Sequence, residues 1–527
     1  MDTENRGGLF KLGSFLQLLF TTYFALIVSW LGLQFTIKIP PIKAVIEILV
    51  CNFTLVILSP VIFSVIALNL AVRFFLSTFL LGSRYKLIDG IDAVWAPVYP
   101  ATVPNFTSLY VLEGQCDLNK IRKKIQLVTR HPNYVRFNYR VTRKYGYYCW
   151  EDTSDKFDVK NHVKIMSGCE DFQRTYSESE IFDKIQYVYD DFFPGDNPQW
   201  EILVIPNYRY NSPKESGKSH YAILFRMHHS ILDGVSAGML LQYGLADYPV
   251  KVTVDPLKPL NVSPLMRILP YALLVVVGAR SVIQSLLLKE ENCFHGKKMT
   301  GPKHVGWSRP IDLKVLKQLK IATRTSTTAI LVSSFGGSLR SLAIKKKLPV
   351  PNSIHAAATV AMLPYPNAFL QNRFTSAHVP MEIGLQTPGE RLKSAFQHAN
   401  NMARSPDILM NYHMMQLTGS FPAIIVNEAM KNLNSTMLLS NVPGPAEDVY
   451  LFGGDKLKDA VAWGPFKGVT ALGMVLFSYG GKIRAAVVAD NVALPEPGDL
   501  TTLLTGFEEE IVKLANSSGI TSSCFSD

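Results

Sequence analysis

Two stretches free of charged residues open the chain, 12–37 and 48–72. Each is long enough to cross a hydrocarbon core of about 30 Å as a helix. Lys38, Pro40, Pro41, Lys43 and Glu47 separate them, so residues 1–86 are expected to form a two-helix transmembrane anchor; a secretory signal would carry one shorter apolar run. Arg6 and Lys11 precede the pair and Arg73, Arg84 and Lys86 follow it, against Lys38 and Lys43 between, which favours cytosolic ends. After residue 86 the pattern changes to short apolar runs alternating with amphipathic ones. Strands are expected from Asn105 onward, at 200–206 and at 221–227, with helices at 181–193 and 234–245, giving an α/β lobe over 87–248. Residues 249–305 carry Pro256, Pro259, Pro264 and Pro270 and an apolar helix at 271–288 interrupted by Arg280. Its uncharged run is too short to span a bilayer, so it is expected to lie in the interface, to line a lipid route or to pack on the core. A second lobe, 306–516, is expected to hold helices at 313–323 and 330–345 and strands at 359–363, 436–440, 473–479 and 483–489, followed by a tail, 517–527.

Charge and cysteine usage narrow the classes. The net charge is +11, from 53 Lys plus Arg against 42 Asp plus Glu, but the positives are scattered and the densest cluster is Lys345-Lys346-Lys347. No basic block with interleaved aromatics suggests a nucleic-acid partner; the excess suits anionic lipid headgroups and the phosphates of an acyl-CoA, or is a generic basic surface. The six cysteines have no zinc-ligand or disulfide-framework spacing, so neither a metal nor a disulfide set is expected. Four formal glycosylation sequons, at Asn105, Asn261, Asn434 and Asn516, matter only if they face a lumen.

The segment His228-His229-Ser230-Ile231-Leu232-Asp233-Gly234 carries the candidate chemistry. An alcohol is a poor nucleophile at neutral pH, so acyl transfer to a hydroxyl needs a neutral base such as an imidazole to take its proton during attack. The two histidines fall between a predicted strand and a predicted helix, in a turn where a rigid scaffold presents side chains. Two packed or solvated histidines at a strand end would be the inert reading. Asp233 is placed to hold the loop or accept N–H groups at the helix start, and Gly234 to permit the turn.

An HHxxxDG string resembles the active-site motif of the acyltransferase superfamily that includes chloramphenicol acetyltransferase, plant BAHD acyltransferases and condensation domains. Further segments are similar to the wax ester synthase/diacylglycerol acyltransferase family: LSNVPGP at 439–445, the opening strand, turn and helix at 105–125, His131-Pro132, GGSLRSL at 336–342 and Gln371-Asn372-Arg373-Phe374. Together they cover about residues 88–515. The Asn-Asp pair of many members aligns with Thr328-Ala329, and no Pro-Leu-Trp motif is evident. Taken alone, Asn441 followed by Pro443-Gly444-Pro445 reads as a stiff turn between strands.

The resemblance implies an α/β fold of two chloramphenicol-acetyltransferase-like lobes and an acyl-CoA-dependent O-acyltransferase that esterifies a long-chain alcohol or diacylglycerol. It assigns the base to His229, with His228 supporting the turn. Asn441, Pro443 and Gly444 are the expected substrate-side residues, Asn441 or a backbone N–H there facing the developing oxyanion. No cofactor is expected beyond acyl-CoA as co-substrate, and no metal. The partners are acyl-CoA, a lipid alcohol and membrane lipids. The expected location is a membrane, first the endoplasmic reticulum with the lobes in the cytosol, with plasma membrane or lipid droplet as alternatives. A non-catalytic lipid-binding relative, and an enzyme of the same fold that takes its acyl group from a carrier protein or acylates an amine, are the other readings; the intact motif argues against the first and the membrane segment against soluble carrier-protein chemistry.

Overall fold

A computed structural model describes residues 40–525 apart from 100–101, 194, 211–216, 251–270, 272–275, 277, 281–289, 432–434 and 466. The chain divides into two compact units. The first contains a helix, Pro40–Phe75, prolonged by a π-type turn, Leu76–Leu80. Among the described residues this is the one stretch long and apolar enough to cross a membrane, Val45–Leu80, with mean hydropathy 2.5 and only 6% of its most apolar window buried. Leu49, Phe53, Val56, Phe63, Leu68 and Phe74 are all exposed. The expected pair of membrane helices is thus met by one helix; the other expected span, 12–37, lies outside the described residues.

That helix also begins earlier than expected, taking in Lys43 and Glu47, which were assigned to a connecting loop. Glu47 is buried and its carboxylate accepts from Arg280 Nε at 2.7 Å. An ion pair lowers the cost of a carboxylate in an apolar helix, and so a charged residue need not end it. Asn52 Nδ2 reaches the Val276 carbonyl at 2.6 Å. The expected helix at 271–288 is described only at Tyr271, Val276 and 278–280, which are helical.

The second unit is α/β and contains three sheets. The first large sheet runs Tyr450–Leu451, Asp455–Trp463, Asn105–Glu113, His220–His228, Trp200–Ile205 and Val163–Ile165. Its central members are covered on both faces, so His220–His228 is buried at all nine positions and reads as a nearly continuous apolar run. Residues 450–463, expected in the second lobe, therefore cross over to this sheet, where Asp455–Trp463 pairs antiparallel with Asn105–Glu113. The second sheet runs Phe374–Met381, Ile354–Ala361, Met437–Pro443, Leu472–Tyr479, Lys482–Asp490 and Lys303–Trp307, with Ile311–Asp312 beside Lys482. A small sheet of Tyr85–Leu87, Tyr147–Asp152 and Tyr139–Lys144 completes the set.

Each large sheet carries its own apolar core, and a third cluster draws on both, including Leu109, Leu203, Trp307, Trp463 and Val488. Trp463 is fully buried with its ring 5.6 Å from that of Trp307; truncating such a side chain costs about 3–5 kcal/mol. Lys303 Nζ bridges Asp490 at 2.9 Å and Asp190 at 3.1 Å. These contacts fix one sheet against the other and so fix what each contributes to the cleft between them.

Candidate active site

The His220–His228 strand stops where its successor turns away: His228 N bonds the Gln199 carbonyl and His229 N the Pro104 carbonyl. Five residues later a helix starts at Gly234, capped by Asp233, whose Oδ1 accepts from Ser236 N at 2.9 Å. The single helix expected over 234–245 is an α-turn, Gly234–Met239, followed by a π-turn, Leu240–Leu245. Gly234 itself is not in the left-handed region. Its lack of a side chain serves space instead of a turn: a Cβ there would lie 2.9 Å from Val442 Cγ2, closing helix onto strand.

His229 lines a cleft of about 70 Å³ with Trp95, Phe106, Asp233, Tyr365, Phe374, Ser440, Asn441, Val442 and others. Its ring stacks on Trp95 with centroids 4.2 Å apart and meets Phe106 and Phe374 edge-on at 6.3 and 6.0 Å. Desolvation in this aromatic box, aided by Lys467, pushes its pKa down to about 3 against weaker upward pulls from its own backbone and Asn372. His229 is therefore neutral at pH 7 and able to accept a proton. Nδ1 is the enclosed ring nitrogen, without a partner in full hydrogen-bond geometry, which leaves Nε2 to meet a substrate hydroxyl. His228, also pushed down to about 3 by burial, accepts from Ser230 N through Nδ1 at 3.2 Å and buries Nε2. It braces the turn.

Asp233 is enclosed, and burial raises its pKa against three donors that hold it down. Besides Ser236 N, its Oδ2 accepts from Tyr365 Oη and from Arg373 N, both at 2.7 Å. The turn's carbonyls are held as well. Asn372 Nδ2 donates to His229 O at 2.8 Å and lies 3.1 Å from Ser230 O and 2.9 Å from Asp92 Oδ1. Arg136 donates to Ile231 O at 3.1 Å and to Asp92 Oδ2 at 2.5 Å, while Ser230 Oγ donates to the Asp92 carbonyl. A base whose backbone is tied at three consecutive carbonyls keeps its ring orientation without a carboxylate on Nδ1.

Of the residues expected opposite the base, Asn441 lines the same cleft, and Pro443 and Gly444 are not among its lining residues. The segment is also strand, Met437–Pro443, rather than a turn, with Asn441 in register with Leu476. Its Nδ2 donates to Thr328 Oγ1 at 3.0 Å, so the threonine that stands in place of the family's Asn-Asp pair touches the other family motif. Gly444 serves packing: a Cβ there would lie 2.2 Å from the Ser478 carbonyl.

Sequence reasoning missed Asp92, Trp95, Arg136, Tyr365 and Lys467, and it marked Asn372 only as a family segment without a role. Lys467 is buried, with Nζ 5.0 Å from the Trp95 ring centre and 3.3 Å from the Pro97 carbonyl; burial pushes its pKa down to about 7. A lone lysine after a Pro-Phe pair gave no signal. Among the described residues no group of three or more His, Cys, Asp or Glu side chains is arranged to hold a metal.

A buried, neutral histidine at a strand-to-helix turn, clamped from a second sheet and lining a cleft, can accept a proton from a hydroxyl bound there. Residues 370–514 match the WS/DGAT C-terminal domain. A Mycobacterium tuberculosis protein with a provisional diacylglycerol O-acyltransferase name is 21% identical over 407 residues, 69% of this chain and 76% of its own. The O-acyltransferase WSD of Acinetobacter baylyi is 22% identical over 395 residues, 68% of this chain and 82% of its own. The solved wax ester synthase/diacylglycerol acyltransferase of Marinobacter aquaeolei VT8 shares the fold, with TM-score 0.57 and 18% identity over 82% of this chain and all of that one. The chain thus resembles the wax ester synthase/diacylglycerol acyltransferase family, and is an enzyme of the O-acyltransferase class.

Proposed function

We propose that this protein transfers an acyl group from acyl-CoA to the hydroxyl of a lipid alcohol, a long-chain alcohol or diacylglycerol, while anchored in a membrane. The observation that carries the reading is His229: an imidazole kept neutral by burial that lines a largely apolar cleft. Nε2 takes the hydroxyl proton as the alcohol oxygen attacks the thioester carbonyl. The tetrahedral oxyanion forms on the side of the cleft that Asn441 lines, where the amide hydrogen not given to Thr328 can donate to it. Collapse expels the CoA thiolate, the proton on Nε2 passes to the sulfur, and the ester is released without an acyl-enzyme.

Membrane attachment is supported by the Val45–Leu80 helix, whose apolar side chains are exposed along its length. Thirty-six residues at 1.5 Å each exceed the ~30 Å of a hydrocarbon core, and water would not tolerate that face. The test incubates membranes containing the protein with labelled acyl-CoA and a panel of alcohols of increasing length, diacylglycerol, a sterol and an amine, followed by lipid separation. Each buried methylene contributes about 0.8 kcal/mol, so apparent affinity should improve several-fold per added carbon until the site is full. Preference for the shortest alcohol, or for the amine over every alcohol, overturns the reading; so does absence of any ester.

A further inference from the structure

Lys467 lies in the turn between the Asp455–Trp463 and Leu472–Tyr479 strands, where Thr470 N bonds its carbonyl. The groups facing its Nζ are the Pro97 carbonyl at 3.3 Å, the Trp95 ring at 5.0 Å and the Tyr99 ring at 5.8 Å; the titratable groups it acts on are the neutral imidazoles of His228 and His229. Among the described residues no carboxylate pairs with it. A buried ammonium with one carbonyl and two rings for company is costly, and its neighbour Trp95 is the same ring on which His229 stacks at 4.2 Å. The two spacings keep the amine within about 9 Å of the imidazole centre.

We propose that Lys467 is a positioning residue for the base that works uncharged: packed against the Trp95 ring on which His229 stacks, it permits positive charge to build on the imidazole, and its protonation slows acyl transfer. The inference rests on the acyl-transfer reading above. His229 becomes an imidazolium as it takes the acceptor's proton, and a second positive charge within about 9 Å disfavours that state roughly tenfold at the effective dielectric of a protein site. Burial brings the amine's titration down to about pH 7, so the effect falls inside the working range. His229 itself titrates far below it and cannot produce the same limb.

The test compares the full-length wild type, Lys467→Met and Lys467→Arg by two rates between pH 6 and 8.5: ester formation from acyl-CoA and a long-chain alcohol, and carbethoxylation of His229 by diethyl pyrocarbonate followed by mass spectrometry. The second also builds positive charge on the imidazole and needs no acyl substrate. Both rates should rise about tenfold through pH 7 in the wild type. Lys467→Met should be flat at the upper level, and Lys467→Arg, which keeps its charge, flat at the lower one. A rise that persists in Lys467→Met, or a flat wild type, overturns the proposal. Absence of ester from every acceptor with the carbethoxylation pattern intact sinks the functional reading and upholds the coupling of Lys467 to His229.

Discussion

Asp233 is the motif residue whose role the structure makes most quantitative. Its carboxylate accepts from Ser236 N, Arg373 N and Tyr365 Oη at 2.7 to 2.9 Å, and Asp233, Ser236 and Tyr365 are buried. Replacing Asp233 by Ala strands three donors away from water, each costing about 1–3 kcal/mol. Relief of the carboxylate's own desolvation offsets part of this, leaving about 3–5 kcal/mol. Asp233→Asn keeps an oxygen for Ser236 but turns an amide NH₂ toward the Arg373 N–H; Tyr365 can rotate its hydroxyl to accept, the backbone cannot, so about 2–3 kcal/mol is expected. Tyr365→Phe removes one donor and leaves the others in place, at about 1–2 kcal/mol. Chemical denaturation of the detergent-solubilised protein should therefore rank the three in that order, with ester formation falling in parallel as the turn loosens. An Asp233→Ala variant as stable as the wild type and yet inactive would refute the capping role and place the carboxylate in the chemistry itself.

His229→Ala should lower turnover about a hundredfold or more at unchanged expression, and His228→Ala less; equal activity of the His229 variant and the wild type removes the base assignment. Asn441→Ala should cost tenfold or more in kcat if its amide meets the oxyanion, and Thr328→Val less, since it frees the amide without deleting it; wild-type kcat in Asn441→Ala rejects that role. Both motif histidines have folded pKa values near 3 against about 6.5 unfolded, so their stability contribution is full above pH 6.5 and is lost as pH falls toward 3, at up to ~1.4 kcal/mol per unit each. Urea midpoints at pH 6.5, 5.5 and 4.5 should fall less steeply in His228→Gln than in the wild type, and equal slopes contradict the assignment. The protein should resist carbonate extraction from membranes and be largely released when residues 1–83 are deleted; quantitative carbonate release of the full chain excludes a spanning helix.

Local signals carried the parts of the molecule that depend on local physics. The His220–His228 and Trp200–Ile205 strands and the Leu313–Thr323 helix stand where apolar periodicity put them, because burial on both faces or along one stripe writes itself into neighbouring residues. The Tyr139–Lys144 and Tyr147–Asp152 hairpin was not read: no residue of its first strand is fully buried, which leaves no apolar alternation. The second-sheet strand expected at 359–363 is Ile354–Ala361; small alanines gave it little apolar contrast, and Met362 and Leu363 beyond it were drawn in by mistake. Crossover of Asp455–Trp463 to the first sheet is a matter of topology, for which a single strand's pattern holds no information. At the site, the motif residues were legible because their chemistry sits in seven consecutive positions. Asp92, Trp95, Arg136, Tyr365 and Asn372 were not, because each acts through a contact more than ninety residues away along the chain.

The arrangement explains why a second sheet is needed around a one-residue base. An imidazole on an exposed turn would titrate near 6.5 and swing freely. Here the first sheet supplies the histidine, and the segment following Tyr365 supplies the groups that hold it: Asn372 on its carbonyl, Arg373 N and Tyr365 on Asp233, Phe374 against its ring. Withdrawing that segment would free the turn and admit water to the ring at once. The pKa of His229 would then climb toward its ordinary value while its aim was lost. Neutrality and orientation of the base thus have a common origin in the docking of residues 365–374, so the acid sensitivity of the fold and the activity of the site are two consequences of one packing event. Substitutions that loosen this segment without touching His229, Asn372→Ala foremost, should raise the pH of the acid limb of ester formation and lower its plateau together. A variant that lowered the plateau with the acid limb unmoved would separate the two and show that enclosure and aim are independently maintained.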